Sequence, residues 1–401
     1  MVLFLTDWTK KKSEFQQMQR NDVHIQIRTL EDTFMRHLDA FIALYQVEST
    51  TSTELCELQA KIRTIQIYIH TSGSSESRNT DQASLEVFQE QFCRISGHTP
   101  DAVYIINGKI SYRGAIPVNQ RTMFDVYKGE LHGGEAVAIK HFRQWLKNDD
   151  LGRIMRQVQQ WSSSSSPFIL ECRGIGIQTT PAAEGEYDKF QLYLVSPFMK
   201  RQDAVSYIRK LRKEGADVNI LKYLQEAARG IEYLHHRNPS CVHAGVRGEN
   251  IIIKDDDTAC LNGFGITKVV AFTRLPEYMG FKYKYRWMAP ELLAQDKSPM
   301  KPCDIWAWAM TALELITGQK PYYGVRKLTL INHIVTQGKR PELSDYPTFE
   351  QNCPQPDRLW ALLERCWVDA SDRPSIREVI SELEDIERVQ IEQQVAHEWA
   401  R

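Results

Sequence analysis

The apolar positions of this chain change period twice. Over the first hundred residues they recur at helical steps. Leu30, Phe34, Leu38, Phe41, Ile42 and Tyr45 mark one amphipathic face. After Ser49-Thr50-Thr51-Ser52, whose hydroxyls suit a helix start, Leu55, Leu58, Ile62, Ile65 and Tyr68 mark a second. Thr71-Ser72-Gly73-Ser74-Ser75 interrupts the pattern, and Leu85, Phe88 and Phe92 carry a shorter helix beyond it. From Tyr104 the alternation is that of strands. Phe124–Leu131 and Glu135–Lys140 read as a hairpin turning at His132-Gly133-Gly134, and Gln191–Met199 as a further strand. The helical period then returns at Leu221, Leu224, Ala227, Ala228, Ile231 and Leu234, and a last helix from about Ser375 is apolar at Val379, Leu383, Ile386 and Val389. The pattern predicts an all-α module over residues 1–97, a β-rich segment over 98–199, a helical body over 200–390 and a helical tail over 391–401.

Composition narrows the class without naming it. With 401 residues, 42% hydrophobic and 25% charged, the chain reads as an ordinary soluble protein of two or three domains. A net charge of −1 supplies no field to gather nucleic acid. Its eight cysteines are scattered with no C-x-x-C pair, which argues against a zinc site or a disulfide framework and suits a reducing cytoplasm. The apolar opening Met1–Leu5 stops at Asp7, too short for a signal-peptide core, and no run is long enough to span a bilayer. Residues 1–70 hold eight Lys/Arg against nine Asp/Glu, a poor match to a lipid-binding helix, so contact with a membrane surface is not expected.

The chemistry-bearing motifs stand in a fixed order. Val137-Ala138-Ile139-Lys140 ends the hairpin. His243-Ala244-Gly245-Val246-Arg247-Gly248-Glu249-Asn250 follows, and thirteen residues after Asn250 (263 − 250) comes Gly263-Phe264-Gly265. Arg286-Trp287-Met288-Ala289-Pro290-Glu291 precedes Asp304-Ile305-Trp306 by thirteen residues (304 − 291), and Asp372-Arg373-Pro374 closes the set. Over about residues 104–385 this order resembles a protein kinase of the tyrosine-kinase-like group, similar to the kinases expanded in mushroom-forming fungi. The resemblance implies an α+β, two-lobed protein-kinase-like fold. Its small β-rich N-lobe would cover 98–199 and its large helical C-lobe 200–390, with the all-α helical module in front.

The departures from the family pattern carry the functional expectation. Gly245 stands where the catalytic Asp belongs, and Gly263 where the magnesium-binding Asp belongs. Ala244 replaces the Arg that would anchor a phosphate on the activation segment. Asn119–Phe124 holds the place of the glycine-rich loop and contains no glycine, so Met123 and Phe124 are expected to fill the groove. No Glu lies between His141 and Leu170 to orient Lys140, its slot falling near Arg156 or Gln157, and Lys140 is expected to be a mobile point charge. Ser162–Ser166 reads as a flexible connector.

By resemblance, any nucleotide would meet Val126, Ala138, Lys140, Ser196, Met199, Asn250 and Ile252. On their own Val126, Ala138 and Ile252 read equally as core. His243, Phe264, Glu291, Asp304 and Arg373 would be structural, Glu291 pairing with Arg373 and Asp304 bonding backbone amides of the central loop. Glu249 and Asn262 are the residues that could stand in as metal ligands, and Thr273, Tyr278, Tyr283 and Tyr285 could be modified from outside. Loss of a general base alone costs about 10² to 10⁴ in rate.

The resemblance with its departures implies a pseudokinase, not an enzyme, with no catalytic residue, metal or cofactor; ATP and magnesium are the ligands an intact relative would take. It would act in signal transduction through a protein partner, an active kinase being one class. Two alternatives stand beside it: a weak or atypical ATP-dependent protein kinase, and a membrane-active effector working through the N-terminal helices.

Overall fold

The computed structural model describes residues 106, 109–120, 124–142, 161–180, 189–263, 283–293, 299–326, 328–353 and 355–399. All lie in the unit Gln59–Arg401, one of two into which the chain divides. The helical module expected over 1–97 falls outside them, as do the Arg156/Gln157 slot, Met123, Phe264, Thr273 and Tyr278.

The alternating segment forms a six-stranded antiparallel sheet. Its strands are β1 (Ile110–Arg113), β2 (Asn119–Gln120), β3 (Phe124–Leu131), β4 (Ala136–Phe142), β5 (Gly174–Thr180) and β6 (Lys189–Pro197). The order is β1-β3-β4-β6-β5, with β2 also paired to β3. The hairpin expected at His132-Gly133-Gly134 is present: Gly133 and Gly134 take φ of 118° and 88°, a region that side chains disfavour. The period-two pattern sorts β4 onto two faces. Val137 and Ile139 join Ile106, Leu131 and Val195 in a small core on one face, while Phe142 packs into the main core on the other.

The C-lobe comprises eight helices and a short ribbon among the described residues. The helices are α1 (Ala204–Lys213), α2 (Ile220–His235), α3 (Pro290–Leu293), α4 (Lys301–Thr317), α5 (Leu328–Thr336), α6 (Thr348–Asn352), α7 (Pro356–Cys366) and α8 (Ile376–Trp399). The ribbon pairs β7 (Ile251–Ile253) with β8 (Ala259–Leu261). Asp203 caps α1 by accepting from the Ser206 amide at 3.0 Å, and Asn219 caps α2 through the Lys222 amide at 3.0 Å. α4 is buried along its length from Cys303 to Thr317, so it reads as apolar all round and forms the axis on which the lobe packs. It begins at Lys301 with Pro302 in its first turn and ends at Gly318, whose φ of 71° and amide bond to the Glu314 carbonyl close it.

Gly230 lies inside α2, where glycine weakens a helix. A Cβ there would stand 2.7 Å from the Phe168 carbonyl, so the segment before β5 crosses α2 at backbone contact. That same segment contains Ser162–Ser166, expected as a flexible connector. It is instead pinned, the Ser165 amide bonding the Tyr233 hydroxyl at 2.7 Å and the Trp161 indole bonding the Leu170 carbonyl at 2.6 Å. Among the described residues no helix is long and apolar enough to cross a membrane.

Candidate functional site in the interlobe cleft

Strand alternation aims Ala138 and Lys140 away from the small sheet core and into a cleft. Val126 of β3 joins them above, and Glu249, Ile252 and Asn262 lie below. Ser196 and Met199 close it at the interlobe strand. Six of the seven expected nucleotide positions are thus brought together. Asn250 is the exception: its Nδ2 donates to the Gly245 carbonyl at 2.7 Å, and its own carbonyl accepts from the Asn262 amide at 2.8 Å. Val118, Leu170, Gln202 and Asp203 also line the cleft, and sequence reasoning missed them. The available signal for Asp203 was its place three residues ahead of Ser206 at a helix start.

The cleft volume is about 90 Å³. Sites for drug-sized ligands run to about 300–1,000 Å³, several times this volume. Part of the filling comes from Phe124, which is 6% exposed and packs against Phe142 at a ring separation of 5.9 Å. The Lys140 Nζ sits 4.0 Å from the Phe124 ring centroid and 5.7 Å from that of Phe142. Contacts of this kind contribute about 0.5–2 kcal/mol. Lys140 is therefore not the mobile point charge expected; the aromatic rings orient it.

Below the cleft, Asp304 at the start of α4 holds the central loop. Its two oxygens accept from the His243 and Ala244 amides, each at 2.8 Å, and from the His235 Nε2 at 2.9 Å. The role expected of Asp304 is met. Ala244 takes a φ of 56°, left-handed for a residue with a Cβ, at a cost of about 1–2 kcal/mol that the carboxylate grip offsets. His243 is fully buried, and burial pushes its imidazole below the usual range despite the Asp304 charge and a hydrogen bond to the Asn262 backbone. Tyr285, named above as a residue that could be modified from outside, lies against the main core.

The two glycines leave different spaces. A Cβ on Gly245 would find its three nearest atoms, of Asn250 and His243, at 3.7–3.8 Å, an ordinary van der Waals contact. On Gly263, with φ of 88°, the three nearest atoms all belong to Asn250 and begin at 3.3 Å. An amide occupies the neighbourhood of both positions. Glu249 lines the cleft but turns toward Arg247, Nη2 to Oε2 being 3.3 Å. Among the described residues no group of three or more His, Cys, Asp or Glu could hold a metal ion.

Two further acids secure the frame. Arg373 grips Glu291 with both nitrogens, at 2.5 and 2.9 Å, as expected. Burial alone would raise the Glu291 carboxyl, but the Arg373 bonds and charge outweigh it and hold it below the usual range. Glu314 in α4, which sequence reasoning missed, accepts from the Gly248 amide at 3.1 Å and the Trp287 indole at 3.2 Å. Burial pushes its carboxyl up to about 7. Its signal was a lone acid inside the apolar run Leu313-Glu314-Leu315.

Residues 119–383 match the family described as protein tyrosine and serine/threonine kinase. The chain belongs to that family. Curated relatives include the probable serine/threonine-protein kinase SIS8 of Arabidopsis thaliana, 24% identical over 66% of this chain and 24% of the relative. The tyrosine-protein kinase Abl of Drosophila melanogaster is 28% identical over 63% of this chain and 14% of the relative. The serine/threonine-protein kinase STY46 of Arabidopsis thaliana is 27% identical over 65% of this chain and 42% of the relative. The chain thus spans well under half the length of these three relatives. The kinase domain accounts for the two-lobed fold: the sheet, the α4 axis, the Glu291–Arg373 pair and the Asp304-held loop are its frame.

Proposed function

We propose that this kinase domain is a pseudokinase of the tyrosine-kinase-like group, signalling by binding a protein partner instead of transferring phosphate. One observation carries the reading. At 245 and 263 a hydrogen stands in place of each carboxylate, and among the described residues the side chains nearest these positions, Asn250 at both and His243 at 245, bring no carboxylate. The 90 Å³ cleft and the Phe124–Lys140 stack support the same reading. The six cysteines among the described residues are free thiols, which suits a reducing cytoplasm.

The test is phosphate transfer. Purified full-length protein, incubated with ATP and magnesium or manganese, should label neither itself nor a generic substrate above the level of a Lys140→Ala control. Labelling that disappears in Lys140→Ala overturns the proposal.

The weak-kinase alternative draws on Lys140, Glu249 and Asn262 meeting in one cleft and on relatives whose names are those of kinases. It requires nucleotide binding, and ATP at 100 times its dissociation constant would add about 2.7 kcal/mol of stability. A flat thermal shift with and without metal removes it.

A further inference from the structure

Helix α8 outruns the lobe on which it packs. Its apolar stripe is buried as far as Ile386. Beyond that, Ile391 and Val395, one turn apart on one face, stand 53% and 46% exposed, and the helix continues to Trp399. A helix end with nothing on its apolar face is marginal in water. The Gln393 side chain accepts from the Gln355 Nε2 at 2.6 Å and fixes the direction in which the end leaves. Where it leaves, α8 borders a cavity of about 680 Å³, whose other side is the end of α1 and the start of α2. Val218, Leu221, Leu359, Ile386 and Ile391 give this cavity apolar walls, and Arg212 stands among them. The Arg212 Nη2 donates to the Leu315 and Ile316 carbonyls at 3.0 and 2.6 Å, and no carboxylate of the described residues pairs with it.

The two sides of the cavity carry opposite charge. α1 ends in Arg209, Lys210, Arg212 and Lys213, with Glu214 as the acid that follows. Between Glu382 and Glu392, α8 carries five acids against one cation, Arg388. Glu392 meets that Arg388 at 4.0 Å, an exposed contact that contributes little and exchanges readily. A patch with a basic flank, an acidic flank and an apolar centre is complementary to its own copy turned about a two-fold axis. We infer that this face is a self-association surface. A second copy of this chain lays Ile391 and Val395 of its α8 into the cavity and its Glu392 against the basic end of α1, and receives the same in return. A small ligand in the cavity would leave Val395 in water, whereas a second α8 covers it. The contact does not involve the interlobe cleft, so it stands or falls apart from the pseudokinase reading.

Sedimentation equilibrium of the full chain tests this, and it should read a monomer–dimer equilibrium at micromolar protein. Replacing Ile391 and Val395 together by Asp should leave the monomer; both positions are exposed, so the folded lobe does not depend on them. Lys213→Glu and Glu392→Lys should each raise the dimer dissociation constant about tenfold, because a two-fold axis counts every contact twice. The two reversals combined should return it close to its starting value, a coupling that independent damage to the fold would not give. Added salt should weaken the unaltered dimer and leave the doubly reversed one equally sensitive. A chain that stays monomeric at about 100 µM overturns the inference. So does a dimer indifferent to the Ile391 and Val395 changes, or a double reversal that fails to restore association.

Discussion

Replacing Glu314 by Gln isolates one buried carboxyl beneath the central loop. The glutamine keeps an acceptor oxygen for the Gly248 amide and the Trp287 indole, which sit 3.1 and 3.2 Å from the native Oε2. What it removes is a titration. Burial lifts the native carboxyl from 4.5 to about 7, Glu249 adding to the rise and the Gly248 amide, Arg247 and Trp287 opposing it. The folded state therefore holds this proton more tightly than the unfolded chain. Its stabilising effect is complete below about pH 4.5, declines as pH rises, and is gone above about 7. At 1.36 kcal/mol per unit the native protein loses about 3 kcal/mol across that window, and Glu314→Gln does not. Urea unfolding of both proteins at matched ionic strength between pH 5 and pH 8 gives the difference directly, because every other group titrates in both. That difference should move about 2–3 kcal/mol in favour of the glutamine as pH rises. A difference that stays flat, or that moves the other way, refutes the placement of Glu314 in a dry site between the loop and Trp287.

Glu291→Gln should destabilise by about 3–5 kcal/mol in urea melts, because it leaves the Arg373 guanidinium buried without its charge partner. Gly230→Ala should cost about 1–3 kcal/mol although alanine favours helices, since its methyl meets the Phe168 carbonyl; a gain in Tm would refute that close crossing. Gly245→Ala should change stability by under about 0.5 kcal/mol, its Cβ meeting ordinary van der Waals contact at 3.7 Å with no left-handed φ, whereas Gly263→Ala should cost about 1–2 kcal/mol for its φ of 88° and its 3.3 Å approach to Asn250. Equal costs at the two positions in matched melts would contradict that asymmetry.

Much of the frame was legible because its determinants are local or carried by spaced motifs. The β3–β4 hairpin follows from alternation around two glycines, and the α2 stripe from its helical period. Asp304 and the Glu291–Arg373 pair came through resemblance, and the geometry places them as expected. The candidate cleft was legible in its membership but not in its state. Val126, Ala138, Lys140, Ser196, Met199 and Ile252 converge, yet the sequence left Lys140 unrestrained and the serine run loose.

The chain by itself determined which side chains are present: a glycine at 245 and at 263, a loop without glycine over 119–124, an ionisable pair at 291 and 373. Composition at a position needs no fold to be read. Only the tertiary structure decided what those side chains meet. Antiparallel register sets Val126 opposite Lys140 and so brings Phe124, two residues along the same face, under the ammonium. Helix packing dries Glu314, and a crossing over α2 delivers Arg237 to serines more than seventy residues earlier. Such contacts depend on register and packing between distant segments, which no local period encodes.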